Sequence, residues 1–145
     1  MRFIFFILSL VITSPSFAQF DKSNLFSHVP ENEHLLLFIP DEAYGISQEL
    51  ATEVAKFNAK HHLSSKLEIK QYKIPFLSKK PTIHVSGFSS YLKAKEYLNS
   101  VEQINPDFFR GKILKHSWII SKDNFISLIK NPDMQAYLDF LQSLE

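Results

Sequence analysis

The feature that most constrains the fold is a six-residue run, His34–Ile39, whose apolar side chains fall on both odd and even positions. Successive side chains of a β-strand point to opposite faces of the sheet, so this run is apolar on both faces. Pro40 follows and cannot donate a backbone hydrogen bond to a neighbouring strand. The run therefore predicts a central strand with a covering layer on each face of its sheet.

Two later segments repeat apolar residues at intervals of three and four, the spacing of one face of a helix. The first spans Ile46–His62, and the second follows Ser89 and Ser90, either of which can supply an N-cap oxygen. Asn105-Pro106 is expected to end the second helix. The apolar stripes comprise Ile46, Leu50, Val54 and Phe57 in the first helix and Tyr91, Ala94, Leu98 and Val101 in the second.

Three further segments are predicted to be strands. Leu67–Ile74 alternates at its start, as an edge strand would, and Pro75 ends it. Thr82–Ser86 is rich in β-branched residues and is broken by Gly87. Lys112–Ile120 supplies the fourth strand.

Two short helices are expected after the fourth strand. Ser121 would cap the first, and Pro132 would occupy the first position of the second. The complete order, β-α-β-β-α-β followed by two helices, predicts a ferredoxin-like α+β fold with an antiparallel sheet. The first and third strands would be the inner ones.

The second face of this sheet needs a cover. Leu36 and Phe38 point away from the helices that meet Leu35, Leu37 and Ile39, if those three face the helix layer. We expect the C-terminal helix pair to fold over part of the Leu36 and Phe38 face. The side chains that would make this contact are Phe125, Ile129, Leu138 and Leu141.

The N-terminus has the three parts of a secretory signal. Met1-Arg2 is positive, Phe3–Ile12 is apolar, and Ser16-Phe17-Ala18 is a small-x-small cleavage site. The alternative is a retained membrane anchor, but the run is about half the length of a spanning helix. We therefore expect residues 1–18 to be cleaved, 19–33 to form an extended leading segment and 34–145 to form the domain. The protein would be exported to the periplasm, with release outside the cell as the alternative.

Charge excludes some partners. The chain has 16 basic and 15 acidic residues, and the predicted signal removes one arginine, which leaves a neutral mature chain. Neither a basic face for nucleic acid nor a charge run for an anionic membrane is evident. No later segment is apolar for long enough to span a membrane, so no insertion is expected after cleavage. The chain also has no cysteine, which excludes disulfides and thiol chemistry.

The sequence offers no motif for catalysis or for a cofactor. The six histidines show no ligand spacing for a metal, and the adjacent His61 and His62 diverge on a helix. Gly87-Phe88-Ser89-Ser90 lacks the second glycine of a nucleophile elbow. We therefore expect a protein without enzymatic activity, metal or cofactor. An envelope hydrolase is a third class, and it would require acids or histidines that converge in a concave site.

Strand residues are the candidates for partner binding. Aromatic side chains there can stack on sugars or peptides, although Phe38 is better explained as core. The predicted partner-binding residues are Tyr72, His84, Ser86, His116 and Trp118.

One segment resembles the sporulation-related repeat (SPOR) domains, which are ferredoxin-like modules that bind peptidoglycan glycan strands lacking stem peptides. Ile83–Phe88, followed by Ala94 and Leu98, is similar to their apolar-x-apolar-Gly-x-Phe pattern, with the glycine one position late. The resemblance covers about a sixth of the mature chain. It implies an alternative function, binding of peptidoglycan glycan.

A longer resemblance, over about 110 residues from His34, is to the C-terminal domain of the tetratricopeptide-repeat proteins of Bacteroidota gliding motility and type IX secretion. It implies an envelope protein as the leading partner. The family's repeats and lipid-bearing cysteine are absent here, so a role as scaffold or anchor is not implied. The matching residues are Phe57-Asn58, Val85, Phe88, Ala94, Tyr97, Val101, Phe108, Trp118-Ile119-Ile120-Ser121, Asn124-Phe125, Tyr137-Leu138 and Phe140.

Overall fold

In a computed structural model the chain is described over residues 25–104 and 113–144. It is a mixed α/β structure with four strands and, within those ranges, four helices. The predicted signal, its cleavage site and the expected end of the second helix at Asn105-Pro106 lie outside the described residues. In chain order the elements are β1 (His34–Pro40), α1 (Ser47–His61), β2 (Glu68–Tyr72), β3 (Thr82–Phe88), α2 (Tyr91–Ile104), β4 (Leu114–Ser121), α3 (Lys122–Lys130) and α4 (Met134–Gln142).

The strands form one antiparallel sheet in the order β2-β3-β1-β4. The first and third strands are the inner ones, as predicted, and every residue of β1 is buried. β2 is an edge strand, also as predicted, although it is three residues shorter than the alternation indicated. The two-faced apolar run is thus explained by a position in the middle of the sheet, with a layer on each side.

The first layer consists of α1 and α2. Their apolar stripes pack on Leu36 and Phe38 of β1 and on Ile83 and Val85 of β3. Most stripe residues are buried because each helix turns its periodic apolar side chains to the sheet, which removes them from water. Ile46, which was expected to belong to the first stripe, is instead the N-cap of α1 and is 58% exposed. The buried helical residues of this core are Leu50, Ala51, Val54, Phe57, Ala94, Tyr97 and Val101.

The second layer is the C-terminal helix pair, as expected, but it covers the opposite set of strand residues. Leu128 of α3 and Tyr137 of α4 pack on Leu35 and Leu37. The prediction that this pair covers Leu36 and Phe38 was therefore wrong. The apolar run is equally apolar on both faces, so its side chains do not reveal which face meets which layer.

Two of the four side chains expected to make this contact do so. Phe125 and Leu141 pack against the second core. Ile129 and Leu138 are instead 45% and 38% exposed. The helix faces are therefore rotated relative to the predicted contact.

Gly87 does not end β3, which was wrongly expected to stop at Ser86. The strand continues to Phe88 through a bulge, because Leu36 pairs with Val85 while His34 pairs with Phe88. Gly87 has a φ of 105° there. A Cβ at this position would lie 2.6 Å from the Lys66 carbonyl oxygen, so both the conformation and the space favour glycine.

The helix starts follow local hydrogen bonding. Ser90 accepts a hydrogen bond from the backbone N–H of Lys93, and Ser121 accepts one from Asn124, as predicted. Pro132 was wrongly placed at the first position of the last helix. Asp133 is the N-cap of α4, with a hydrogen bond from the backbone N–H of Ala136, so the proline precedes the cap.

The described part of the leading segment is fastened to the second layer. Phe26 is buried, and its ring centroid lies 4.9 Å from that of Tyr137. Asn124 holds the backbone of Ser27 from both sides: its Oδ1 accepts from the Ser27 N–H at 3.0 Å, and its Nδ2 donates to the Ser27 carbonyl at 2.8 Å. The leading segment thereby contributes to the core that covers β1.

Candidate functional site

Strand register places all five predicted binding residues on the sheet face that meets α3 and α4. Across that face, Lys70 of β2 pairs with His84, which pairs with Leu37, which pairs with Trp118. Tyr72 lies two residues from Lys70 in this row, and side chains two apart share a face. The same rule places Ser86 beside His84 and His116 beside Trp118. The C-terminal helices separate the five into two groups because they cover the β1 residues between them.

Tyr72, His84 and Ser86 belong to the first group and line one cleft of about 670 Å³. Its floor is formed by β2 and β3, and one wall is formed by Phe125, Ile126 and Ile129 of α3; we call it the β2–α3 cleft. Tyr72 is 48% exposed, Ile126 43% and Ile129 45%. The second sheet face is thus covered over β1, while beside α3 it forms a cleft with exposed apolar side chains.

His84 is fixed at the base of the β2–α3 cleft. Its ring lies edge-on to those of Tyr72 and Phe125, with ring centroids 4.8 Å and 5.1 Å apart. Its Nε2 lies 2.9 Å from Thr82 Oγ1. Burial lowers the pKa of His84 to about 4, because the charged imidazolium would lose its hydration. His84 is therefore neutral at physiological pH and acts as a packing and hydrogen-bonding group.

The second group, His116 and Trp118, lies on β4 outside this cleft. The two rings stack with centroids 6.2 Å apart, and Trp118 also approaches Tyr137 at 6.4 Å. Trp118 is half-buried and packs against the second core. The structure therefore brings together only three of the five predicted residues.

The rim of the β2–α3 cleft carries more positive than negative charge. Four lysines and two glutamates line it. Lys70 pairs with Glu68 at 2.7 Å, and Lys122 pairs with Glu33 at 2.8 Å. Lys66 and Lys73 have no ion pair with any residue that the structure describes.

Both carboxylates of the rim are paired with lysines. The hydrogen bond and charge of Lys70 lower the pKa of Glu68. The rim therefore presents two ion pairs, together with the ammonium groups of Lys66 and Lys73, which have no ion pair with a described residue.

The helical wall of the cleft and the two lysines without a described ion pair were not predicted as parts of a site. Ile129 was expected to pack on the sheet together with Phe125. Ile126, which also lies exposed in the wall, carried no signal of its own. Lys66 and Lys73 flank the predicted edge strand, and only the assembled cleft shows that they share a rim.

Within residues 25–104 and 113–144, no three histidine or acidic side chains are grouped as metal ligands. Nor is any helix of the described segments long and apolar enough to cross a membrane. No protein-family model, curated protein or solved structure matches the chain.

Proposed function

We propose that the chain is a non-enzymatic interaction module of the bacterial envelope that binds a protein partner through the β2–α3 cleft. The observation that carries this proposal is the exposure of Tyr72, Ile126 and Ile129 side by side in a cleft with a charged rim. Exposed apolar side chains surrounded by polar ones are the usual composition of a protein-binding site.

The proposed fold class is ferredoxin-like. The sheet order β2-β3-β1-β4, with antiparallel neighbours throughout, supports it. So does the position of α1 and α2 together on one face. This class includes many functions, so the functional proposal rests on the cleft and not on the fold.

The proposed partner is a protein of the type IX secretion and gliding machinery. Support comes from the resemblance stated above, whose most specific segment includes Ser121, Asn124 and Phe125. These residues respectively cap α3, fasten Ser27 and line the cleft wall. The predicted signal supports export to the periplasm, with release outside the cell as the alternative.

The alternative function is binding of peptidoglycan glycan, as in SPOR domains. It is favoured by the grouping of an exposed tyrosine, Tyr72, with His84 and Ser86 in the β2–α3 cleft. It is disfavoured by the second layer, which buries Leu37 and so covers the middle of that sheet face.

Co-sedimentation with sacculi separates the two functions. The chain from Gln19 to Glu145 would be mixed with intact sacculi and with sacculi stripped of stem peptides. The leading proposal predicts that the protein stays in the supernatant in both cases. Stronger sedimentation with stripped sacculi, lost in Tyr72→Ala, would establish the glycan alternative.

In-cell cross-linking tests the leading proposal. Tagged wild-type protein, Ile129→Asp and Leu92→Asp would be cross-linked with formaldehyde in cells that naturally express the chain. Leu92 is a matched control because it is a 60% exposed aliphatic residue on α2, on the other layer. We expect one protein to be recovered with wild type and Leu92→Asp but not with Ile129→Asp. Equal recovery with all three would exclude the cleft as the binding site.

A further inference from the structure

We propose that the β2–α3 cleft takes an extended acidic peptide segment of the partner, which pairs with the free edge of β2 as a fifth strand. This inference rests on the proposed function, that a protein binds in this cleft, and adds the chemistry and conformation of the bound segment. The juxtaposition behind it is a strand edge and two lysines, none of them paired with a described residue, beside an apolar wall.

The outer edge of β2 can provide backbone hydrogen bonds to an added strand. β2 is the outermost strand, and four of its five residues are exposed. Alternate amide and carbonyl groups of an edge strand point away from its neighbour and can pair with an added strand. On the outer side of β2, none of the other described strands pairs with these groups.

The apolar wall provides pockets for side chains. An added strand sends every second side chain to the sheet face that carries the cleft. There it would meet Tyr72 of β2 and Ile126 and Ile129 of α3, which line the same cleft. Burial of these exposed side chains would favour apolar residues at alternate positions of the segment.

Charge selects the chemistry of the segment. Lys66 and Lys73 flank β2 on its two sides in sequence, and both line the rim without an ion pair to a described residue. The two rim glutamates are already paired with lysines. A segment with a carboxylate near each end could therefore pair with Lys66 and Lys73, whose ammonium groups have no ion pair with a described residue.

The same charges disfavour a second copy of this chain as the occupant. A two-fold contact brings the same surface patch of both copies together. Pairing through β2 would then place the positive rim of one copy against that of the other. Lysine on an edge strand opposes such pairing and leaves an oppositely charged strand as the favoured partner.

Three blocked heptapeptides test the proposal by amide NMR on the chain from Gln19 to Glu145, which includes every described residue. The first is acetyl-Glu-Thr-Val-Thr-Ile-Thr-Glu-amide, which can span the five residues of β2 with a glutamate beyond each end, on the same face as its valine and isoleucine. The second has lysine for both glutamates, and the third has proline for the central threonine. We expect the first to shift the resonances of Glu68–Tyr72, Ile126 and Ile129, and the other two to bind at least about tenfold more weakly.

Variants identify the charges responsible. Lys66→Glu combined with Lys73→Glu should weaken binding of the acidic peptide at least about tenfold, since two attractive contacts become repulsive. Lys115→Glu, on the opposite edge strand β4, is the matched control and should leave binding unchanged. Higher salt should weaken binding to the wild type.

Several outcomes would overturn the proposal. These are equal binding of the lysine peptide, shifts confined to residues outside the cleft, and the absence of binding at millimolar peptide. Shifts of β2 that grow with protein concentration alone would indicate self-pairing and would also overturn it. If a partner is still cross-linked to the wild type and lost in Ile129→Asp in cells, only the acidic strand is refuted and the proposed function stands.

Discussion

Replacement of Asn124 by alanine should destabilise the protein by loosening the leading segment. The Asn124 side chain is only 5% exposed and makes two hydrogen bonds to the backbone of Ser27, at 3.0 and 2.8 Å. Each such bond contributes roughly 0.5–1.5 kcal/mol net. We therefore expect Asn124→Ala to lower the free energy of unfolding by about 1–3 kcal/mol, because both backbone groups lose their partner.

Urea denaturation gives the global effect, and hydrogen exchange at the Ser27 amide gives the local one. Asn32→Ala is a matched control: Asn32 also links the leading segment to α3, through a 3.3 Å bond to Asp123, but this bond is exposed. Its loss should change stability by less than about 0.5 kcal/mol. A change below about 0.5 kcal/mol in Asn124→Ala, with unaltered exchange at Ser27, would refute the reasoning.

Three further predictions concern the sheet and its covers. Gly87→Ala should cost about 1–3 kcal/mol in urea denaturation, because φ is 105° and a Cβ would meet the Lys66 carbonyl; an unchanged midpoint would contradict this. Tyr137→Ala should lower the free energy of unfolding by about 3–5 kcal/mol and Leu138→Ala by less than about 1 kcal/mol, since only Tyr137 is buried. Equal losses would contradict the assignment of Tyr137 to the buried face of α4. Because the pKa of His84 falls from 6.5 to about 4 on folding, stability should fall as pH drops through this window, by about 2 kcal/mol at pH 5, and His84→Gln should lack this step in urea titrations.

Periodicity predicted the strands and helices well because most of the buried residues in the described part of the chain are apolar. His34–Ile39 identified the central strand, and the spacing of Leu50, Val54 and Phe57 identified a helix that packs on the sheet. The alternation after Leu67 identified an edge strand. These patterns result directly from burial, so they can be recognised in the sequence without any tertiary information.

Three features that depend on the third dimension were not predicted correctly. The strand run is apolar on both sides, so the layer over Leu36 could not be distinguished from the layer over Leu37. Gly87 looked like a strand end because a bulge glycine and a terminal glycine look alike in sequence. A proline can precede a helix cap as well as follow it. Pro132 precedes the cap because Asp133 is the N-cap of α4.

The candidate site was half predicted. Tyr72, His84 and Ser86 were chosen for their strand positions, and register brings them together in one cleft. Trp118 was separated from them because the C-terminal helices cover the residues between. Ile126 supplied no pattern at all, since a single exposed isoleucine is common on helices.

Site-specific photo-cross-linking in cells tests the central claim most directly. A photoreactive amino acid would replace Ile126 in the cleft wall or, as the control, Leu92 on the opposite layer. The account predicts a cross-linked species with a second protein from position 126 and none from position 92. A partner captured only from position 92, or captured equally from both, would contradict the assignment of the β2–α3 cleft as the binding site.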